Sequence, residues 1–293
     1  MRGGVQVVET RIGDVQFELA SPSIPPALHG YLRSWAGYSE RTPGTLRRRE
    51  LPGAQIVVII EFGPPISVYE RGERRAARFP GGFVAGLDDT YTICEHDGYQ
   101  AGIQLNLTAL GARTLFALPQ HQLTSTVLSL RDLLPREHHS LADRLACAAS
   151  WDMRFAIVEG LLCEAIRERD ARRRPAVWAA QRIEAAGGAL EIRELCDELG
   201  YSHKHVVTLF REDIGMSPKQ YACLVRFDAL IQQLRAAPHL GWAELALRLG
   251  YSDQSHLVRE VRRFSGIPPR ELAQLVIGYP TLASSPRCCT EVA

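Results

Sequence analysis

LALRLGYSDQSHLVREVRRFSGIPPREL, running from Leu245 to Leu272, reads as a short helix, a tight turn and a second helix. Leu245, Ala246 and Leu249 share one helix face that can bury against a neighbour. Gly250 tolerates the left-handed conformation that ends a helix, and Ser252 or Asp253 can cap the next N-terminus. In the second helix Leu257, Val261 and Phe264 make an inner stripe, and Ser265-Gly266 ends it. Gln254, Ser255, Arg259, Arg262 and Arg263 are left on the other faces. A helix with such an outer face suits the major groove, where these groups meet base edges and phosphates. The plain alternative is a helical hairpin with a solvated charged face.

A diverged copy, LCDELGYSHKHVVTLFREDIGMSPKQY, lies at Leu195–Tyr221. Leu195, Leu199, Gly200, Tyr201 and Ser202 recur at Leu245, Leu249, Gly250, Tyr251 and Ser252, an offset of 50. His205, Gly215 and Pro218 then match His256, Gly266 and Pro269 at an offset of 51. The second copy therefore carries one extra residue, inside its second helix or in the turn before it. A tandem repeat ending in the same Gly-x-x-Pro disfavours the hairpin alternative and points to duplex DNA.

The segment from Trp242, WAELALRLGYSDQSHLVREVRRFSGIPPREL, resembles the signature of the AraC/XylS family of bacterial transcription regulators, and the resemblance extends over roughly Val177 to Val276. It implies a DNA-binding domain in which a long helix, opened by Ser217-Pro218, holds two reading helices apart. Arg226 is implied to brace the two units. The base-reading positions fall on Lys204, Val207 and Thr208 in the first unit, with His203 and His205 near phosphates. In the second they fall on Gln254, Ser255 and Arg259, with His256, Arg262 and Arg263 near phosphates. Val207 and Thr208 depart from the family's longer polar residues, which puts base specificity of the first unit in doubt; a methyl contact to thymine remains open to them. For Arg259 the alternative is a salt bridge to Glu260 or Glu271, and for His256 a capping or packing role.

Length and composition frame the rest. A chain of 293 residues, 46% hydrophobic, can bury two cores, and its net charge of +1 carries no hint of nucleic acid. Lys occurs only at Lys204 and Lys219. We read no signal peptide and no membrane span, and the seven cysteines, odd in number and without C-x-x-C spacing, suit reduced thiols. A cytoplasmic protein is expected.

Residues 1 to about 107 look β-rich. Gln55–Ile60, Ile66–Tyr69, Phe79–Ala85, Tyr91–Cys94 and Ala101–Leu107 are strand candidates, with turns expected at Gly63-Pro64-Pro65, Pro80-Gly81-Gly82 and Asp97-Gly98. A small barrel or sandwich fits this spacing, and the family resemblance implies a cupin-like sensor barrel. Helices are expected at Ala109–Phe116, Leu141–Ala149 and Trp151–Glu168, packing on the barrel or on a second subunit. The charge-dense run Arg167–Pro175 reads as a domain boundary.

The expected fold class is therefore α+β in two domains. A β-rich sensor or dimerisation domain with a helical extension spans 1–170, with strands to about 107 and helices over 108–170. A DNA-binding domain spans 175–277, with helix-turn-helix units at about 191–213 and 241–264, and a tail spans 278–293. The function read from this is a one-component, sequence-specific transcription regulator, not an enzyme, with no cofactor and no metal. Its expected partners are the major groove of promoter or operator DNA, a small-molecule effector, a second copy of the chain, and RNA polymerase if it activates. The competing function is a cupin-like metal-dependent or cysteine-dependent enzyme with an accessory DNA-binding domain. Cupin metal sites want clustered His and Glu, whereas this region offers Glu95-His96 and an adjacent pair, His138-His139. Cys94 near His96 is the one hint of a nucleophile. Repair methyltransferases that share the DNA-binding unit carry four zinc-binding cysteines near their start, and no cysteine precedes Cys94 here.

Overall fold

The structure, a computed structural model, describes residues 4–69, 75–169, 174–278 and 288–291. Its N-terminal strands are β1 (Gln6–Ile12), β2 (Val15–Ser21), β3 (Leu32–Glu50), β4 (Ile56–Glu61), β5 (Ser67–Tyr69), β6 (Ala77–Arg78), β7 (Phe83–Ala85), β8 (Thr92–Leu107) and β9 (Val127–Ser129). A C-terminal strand, β10 (Cys288–Glu291), pairs with β3. All pairings are antiparallel, in the order β1-β2-β3-β8-β4-β7-β9, with β5 between β6 and the first half of β8.

Two expectations about these strands need correction. Tyr91–Cys94 and Ala101–Leu107 are not separate strands: β8 runs unbroken through Asp97-Gly98. Gly98, at φ +82°, lies where β3 carries Thr42-Pro43-Gly44 out of register, so the glycine serves a bulge and not a turn. The second is an omission, because the 19-residue β3 was not among the strand candidates. Its sequence includes Arg and Glu residues that turn inward, and an inward charge hides the usual alternation of a half-buried strand.

The second half of β8 is buried on both faces. Ile103, Leu105 and Leu107 point to the main core and Gln100, Gln104 and Asn106 point the other way. The polar side is satisfied internally: Gln55 and Gln104 each donate to Asn106 Oδ1 at 2.9 and 3.0 Å, and Asn106 donates to Ser34 at 2.7 Å.

Helices α1 (Ala109–Phe116), α2 (Leu130–Leu133), α3 (Leu141–Cys147) and α4 (Trp151–Arg169) follow the long strand. The apolar residues Trp151, Phe155, Val158, Leu162 and Ala165 of α4 are buried. Trp35 of β3 meets Phe155 edge-on at 4.9 Å, and Trp151 donates to Glu18 at 2.5 Å, so α4 packs on the sheet. Gly37 of β3 makes room for it, since a Cβ there would lie 2.1 Å from the Trp151 ring.

The charge run expected to form the boundary is only partly visible, because residues 170–173 lie outside the described residues. Helix α4 continues through Arg169, and α5 (Pro175–Ala185) starts on Pro175 at its first turn, where the missing N–H costs nothing. Beyond it come α6 (Ile192–Leu199), α7 (His203–Asp213), α8 (Pro218–Ala236), α9 (Trp242–Arg248), α10 (Gln254–Ser265) and α11 (Pro269–Gly278). No helix among the described residues is long and apolar enough to cross a membrane.

The helical part docks on the sheet through polar contacts spread over its whole length. Arg33 of β3 pairs with Glu184 of α5 at 2.5 Å, and Arg113 of α1 with Asp213 of α7 at 3.2 Å. Thr124 donates to Gly215 O at 2.8 Å, and Ala54 N donates to Asp228 of α8 at 3.0 Å. Arg49 of β3 donates to Ser265 O at the end of α10 at 2.9 Å. Asp89 pairs with Arg263 of α10. One continuous apolar cluster, from Ala20 to Val276, lies beneath these contacts.

Candidate nucleic-acid interface

The two helix-turn-helix units are α6–α7 and α9–α10, and each turn follows from a few residues. Gly200 and Gly250 end the first helices at φ +68° and +71°, the left-handed region that a side chain resists. Ser202 then caps α7 by accepting from His205 N at 3.3 Å, whereas Asp253 caps α10 by accepting from His256 N at 2.7 Å. Ser202 and Asp253 are 51 apart, while Gly200 and Gly250 are 50 apart. The extra residue of the second copy therefore sits in the turn, as Ser252, and both reading helices keep the same phase after their caps.

The inner stripe of α10, Leu257, Val261 and Phe264, is fully buried, as are Val206 and Phe210 of α7. Burial of each such side chain is worth roughly 1.5–3 kcal/mol. This fixes which face of each reading helix is left for solvent. Helix α8 separates the two units, opened by a capping box in which Ser217 and Gln220 exchange hydrogen bonds. Its Tyr221, Leu224, Phe227, Ile231 and Leu234 are all buried. Arg226 of α8 donates to Gly188 O in the turn after α5 at 2.8 Å and lies 3.8 Å from Glu260 of α10, so one side chain ties that turn to the second unit.

On the outer face of α7, Lys204, Thr208, His203 and His205 are exposed and Val207 is half-buried. The Thr208 hydroxyl is turned back to Lys204 O at 3.0 Å, which leaves its methyl the outward group. On α10 the side chains of Gln254, Ser255, Arg259, Arg262 and Arg263 are exposed. Arg259 donates to Ser255 O at 3.3 Å. Glu260, one of the ion-pair partners considered for Arg259, points inward, within 3.8 Å of both Arg226 and His256.

His256 is held from three sides. Its Nδ1 lies 3.2 Å from Ser252 Oγ, its ring meets Tyr251 edge-on at 5.3 Å, and its Nε2 faces Glu260. His205 repeats the pattern against Tyr201, edge-on at 4.7 Å. The Tyr–His pair is present in both copies of the repeat, as Gly-Tyr-Ser followed by His; a packing role was the alternative weighed for His256, and its tyrosine partner was not named. Arg263 is likewise engaged, by Asp89 of the sheet domain. Nothing in the local sequence around Arg263 signals a partner 174 residues away.

The residues weighed for catalysis are placed differently. His138 and His139 point apart, one toward Glu164 at 4.0 Å and the other onto Leu134 O at 3.2 Å. Cys94 and His96 lie two residues apart on β8 and face the same cavity. Burial pushes the Cys94 thiol well above its ordinary range, with Glu50 and Glu61 adding to it, the opposite of an activated nucleophile.

Residues 195–274 match the family model described as "Helix-turn-helix domain". No curated protein matches the chain. Among solved structures, that of ToxT from Vibrio cholerae is similar at 9% identity, covering 82% of this chain and 98% of that one, with a TM-score of 0.46. The C-terminal domain of AraT, a response regulator from Geobacillus stearothermophilus, is similar at 19% identity over 34% of this chain and 84% of that one, with a TM-score of 0.33. With the duplicated Gly-Tyr-Ser turns, the caps and the strut helix between them, the C-terminal third of this chain is an AraC-type tandem helix-turn-helix domain of the kind found in DNA-binding transcription regulators.

Proposed function

We propose that the chain is a one-component transcription regulator of the cytoplasm that binds a specific DNA site through both of its helix-turn-helix units. The observation that carries this reading is the pair of reading helices, α7 and α10, each with an apolar face buried and a polar face outward, separated by one braced helix. Lys204, Val207 and Thr208 read bases from the first unit, and Gln254, Ser255 and Arg259 from the second. His203, His205 and Arg262 contact phosphates, joined by Arg263 once it is released from Asp89. His256 acts mainly on its own helix, fixing the turn. Arg259 is the strongest single reader, as a guanidinium bridging guanine O6 and N7.

The domain organisation follows the same reading: 1–170 receives a small molecule or a second copy of the chain, and 175–277 binds DNA. A cavity of about 150 Å³ inside the curled sheet supports the small-molecule role. If the protein activates, RNA polymerase is the further partner.

Footprinting on a duplex selected from random sequence tests the DNA reading. One monomer should protect two major-groove segments on one face, about one helical turn or roughly 34 Å apart. Protection of a single segment per monomer sinks the two-unit reading.

A further inference from the structure

Two stretches of chain have the cavity on one side and the end of α10 on the other. In β3, Arg48 and Glu50 line the cavity, whereas Arg49 between them reaches outward and donates to Ser265 O at 2.9 Å. The same alternation recurs on the way into β8. Asp88, Thr90 and Thr92 line the cavity, Asp89 pairs with Arg263, and Tyr91 lies against Gly266, where a Cβ would come 2.1 Å from the tyrosine ring. Successive side chains of a strand point to opposite faces, and residues 88–92 keep that alternation through a bend. The two stretches are joined. Glu50 pairs with Thr92 and Arg49 with Ile93 in the β3–β8 ladder, and the Arg49 guanidinium stacks on the Tyr91 ring at 4.1 Å. Between the cavity and α10 the wall is thus one layer of chain.

The end of α10 is packed too closely to absorb a movement of that wall. Gly266 holds φ +72° and donates to Arg262 O at 3.0 Å, the Ser265 hydroxyl donates to Val261 O at 2.7 Å, and Phe264 is fully buried. A close-packed interior compresses little and passes displacement on. The first unit is held differently. Its contacts with Arg113 and Thr124 use side chains that are not part of the cavity wall.

We infer that this wall transmits the filling of the cavity to the second reading unit in preference to the first. A body that presses on Arg48, Glu50, Asp88 or Thr90 moves Arg49, Asp89 and Tyr91, which then loosen their hold on Arg263, Ser265 and Gly266. Helix α10 shifts with Gln254, Ser255 and Arg259 on it, while α7 keeps its place. An effector acting this way alters the reading of one half of the DNA site.

This inference rests on the reading of the N-terminal domain as a sensor, and the test separates the two. Ala85 of β7 lines the cavity, so Ala85→Leu fills it from within and leaves every residue of the wall unchanged. Val127→Leu, a smaller increment from β9, serves the same test where Ala85→Leu does not fold. Hydrogen exchange of the full chain without DNA reads the effect. Amides of Arg263–Ile267 should exchange about tenfold faster than in the parent, and those of Glu212–Met216, the matching end of α7, at an unchanged rate. In Asp89→Ala/Tyr91→Ala the outward hold is already cut, and Ala85→Leu should add no further acceleration. Equal acceleration at both helix ends, none at α10 in a folded variant, or an effect undiminished in the double-variant background overturns the wall. The same variants are then titrated with the selected duplex and with duplexes altered in either half. Ala85→Leu should raise affinity severalfold wherever the half read by α10 is intact, as expected of Asp89→Ala, and leave binding through the other half unchanged. Acceleration at α10 with DNA affinity unchanged on every duplex supports the wall and defeats the sensor reading. A DNA response without acceleration at α10 defeats the wall and leaves the sensor reading standing.

Discussion

Arg259 and Arg263 lie one turn apart on α10, yet their surroundings differ. Arg259 touches only its own helix through Ser255 O in the contacts given above, while Arg263 is bound to Asp89 of the sheet domain. Arg259→Ala should therefore cost roughly 1–3 kcal/mol on the selected site and relax preference at one base pair. Arg263→Ala should weaken selected and random DNA alike and flatten the salt slope by about one unit. Binding to single-base variants of the site at two salt concentrations measures both; equal losses on every variant for Arg259→Ala mark it as a phosphate or structural residue. A second residue-scale expectation concerns Glu61, which is 3% exposed and takes one hydrogen bond, from Ile66 N at 3.3 Å. Burial raises its carboxyl to about 8 from an ordinary 4.5. The folded chain then holds a proton that the unfolded chain has lost, so stability falls as pH climbs from about 4.5 to about 8. Glu61→Gln keeps an acceptor for Ile66 N and removes the titration. It should match the parent near pH 4 and exceed it at pH 8 by on the order of a few kcal/mol. Urea midpoints across that range report the difference, and parallel pH profiles for the two chains refute the assignment.

At the scale of the element, the two reading helices begin differently although they descend from one repeat. Ser202 caps α7 with a hydroxyl at 3.3 Å, and Asp253 caps α10 with a carboxylate at 2.7 Å. The His256 N–H, with help from the Ser252 hydroxyl, holds the Asp253 carboxyl below its ordinary range, in keeping with an anion at a helix N-terminus. Asp253→Ala should lower stability, and Ser202→Ala should lower it no more than that. Chemical denaturation of the full chain reads both. A cost for Ser202→Ala clearly above that for Asp253→Ala contradicts the ranking. The element scale also shows where periodicity worked. Helices α4, α8 and α10 were legible because their apolar stripes are long and recur at helical spacing. Strand β3 was not, because Glu40 and Arg48 point inward and satisfy each other there.

For the whole molecule, the sheet domain holds the DNA-binding domain at both ends. Asp213 and Gly215 of the first unit and Ser265 and Arg263 of the second are all engaged by it. With Arg263 so occupied, Asp89→Ala should raise affinity for DNA severalfold by freeing the second unit. Unchanged or weaker binding by Asp89→Ala shows that the pair does not restrain it. A fragment beginning at Arg174, the residue before α5, should fold alone and keep DNA affinity, since α8 packs against α5, α7, α10 and α11 and ties them together. An unfolded fragment by circular dichroism refutes a boundary between 170 and 175. A folded fragment without DNA affinity at low salt, where phosphate contacts are strongest, refutes the assignment of function.

The repeated Gly-Tyr-Ser turn, the Leu257/Val261/Phe264 stripe and the Ser217-Pro218 helix start were determined by the sequence alone. Each depends on residues within a few turns of one another, and backbone preference and helical period act at that range. The choice between Ser252 and Asp253 as cap, left open by the sequence because both residues carry a capping oxygen, falls to Asp253 in the folded turn. What only the tertiary structure decided is everything carried by distant partners. Asp89 reaches Arg263 across 174 positions, and Arg33 reaches Glu184 across 151. The cavity joins β2, β3, β4, β5, β7, β8 and β9 with residues from the loops between strands. No local pattern encodes such meetings: they arise when the sheet curls and the helices close over it, and a charge that looks solvated in the sequence then finds itself beside its opposite.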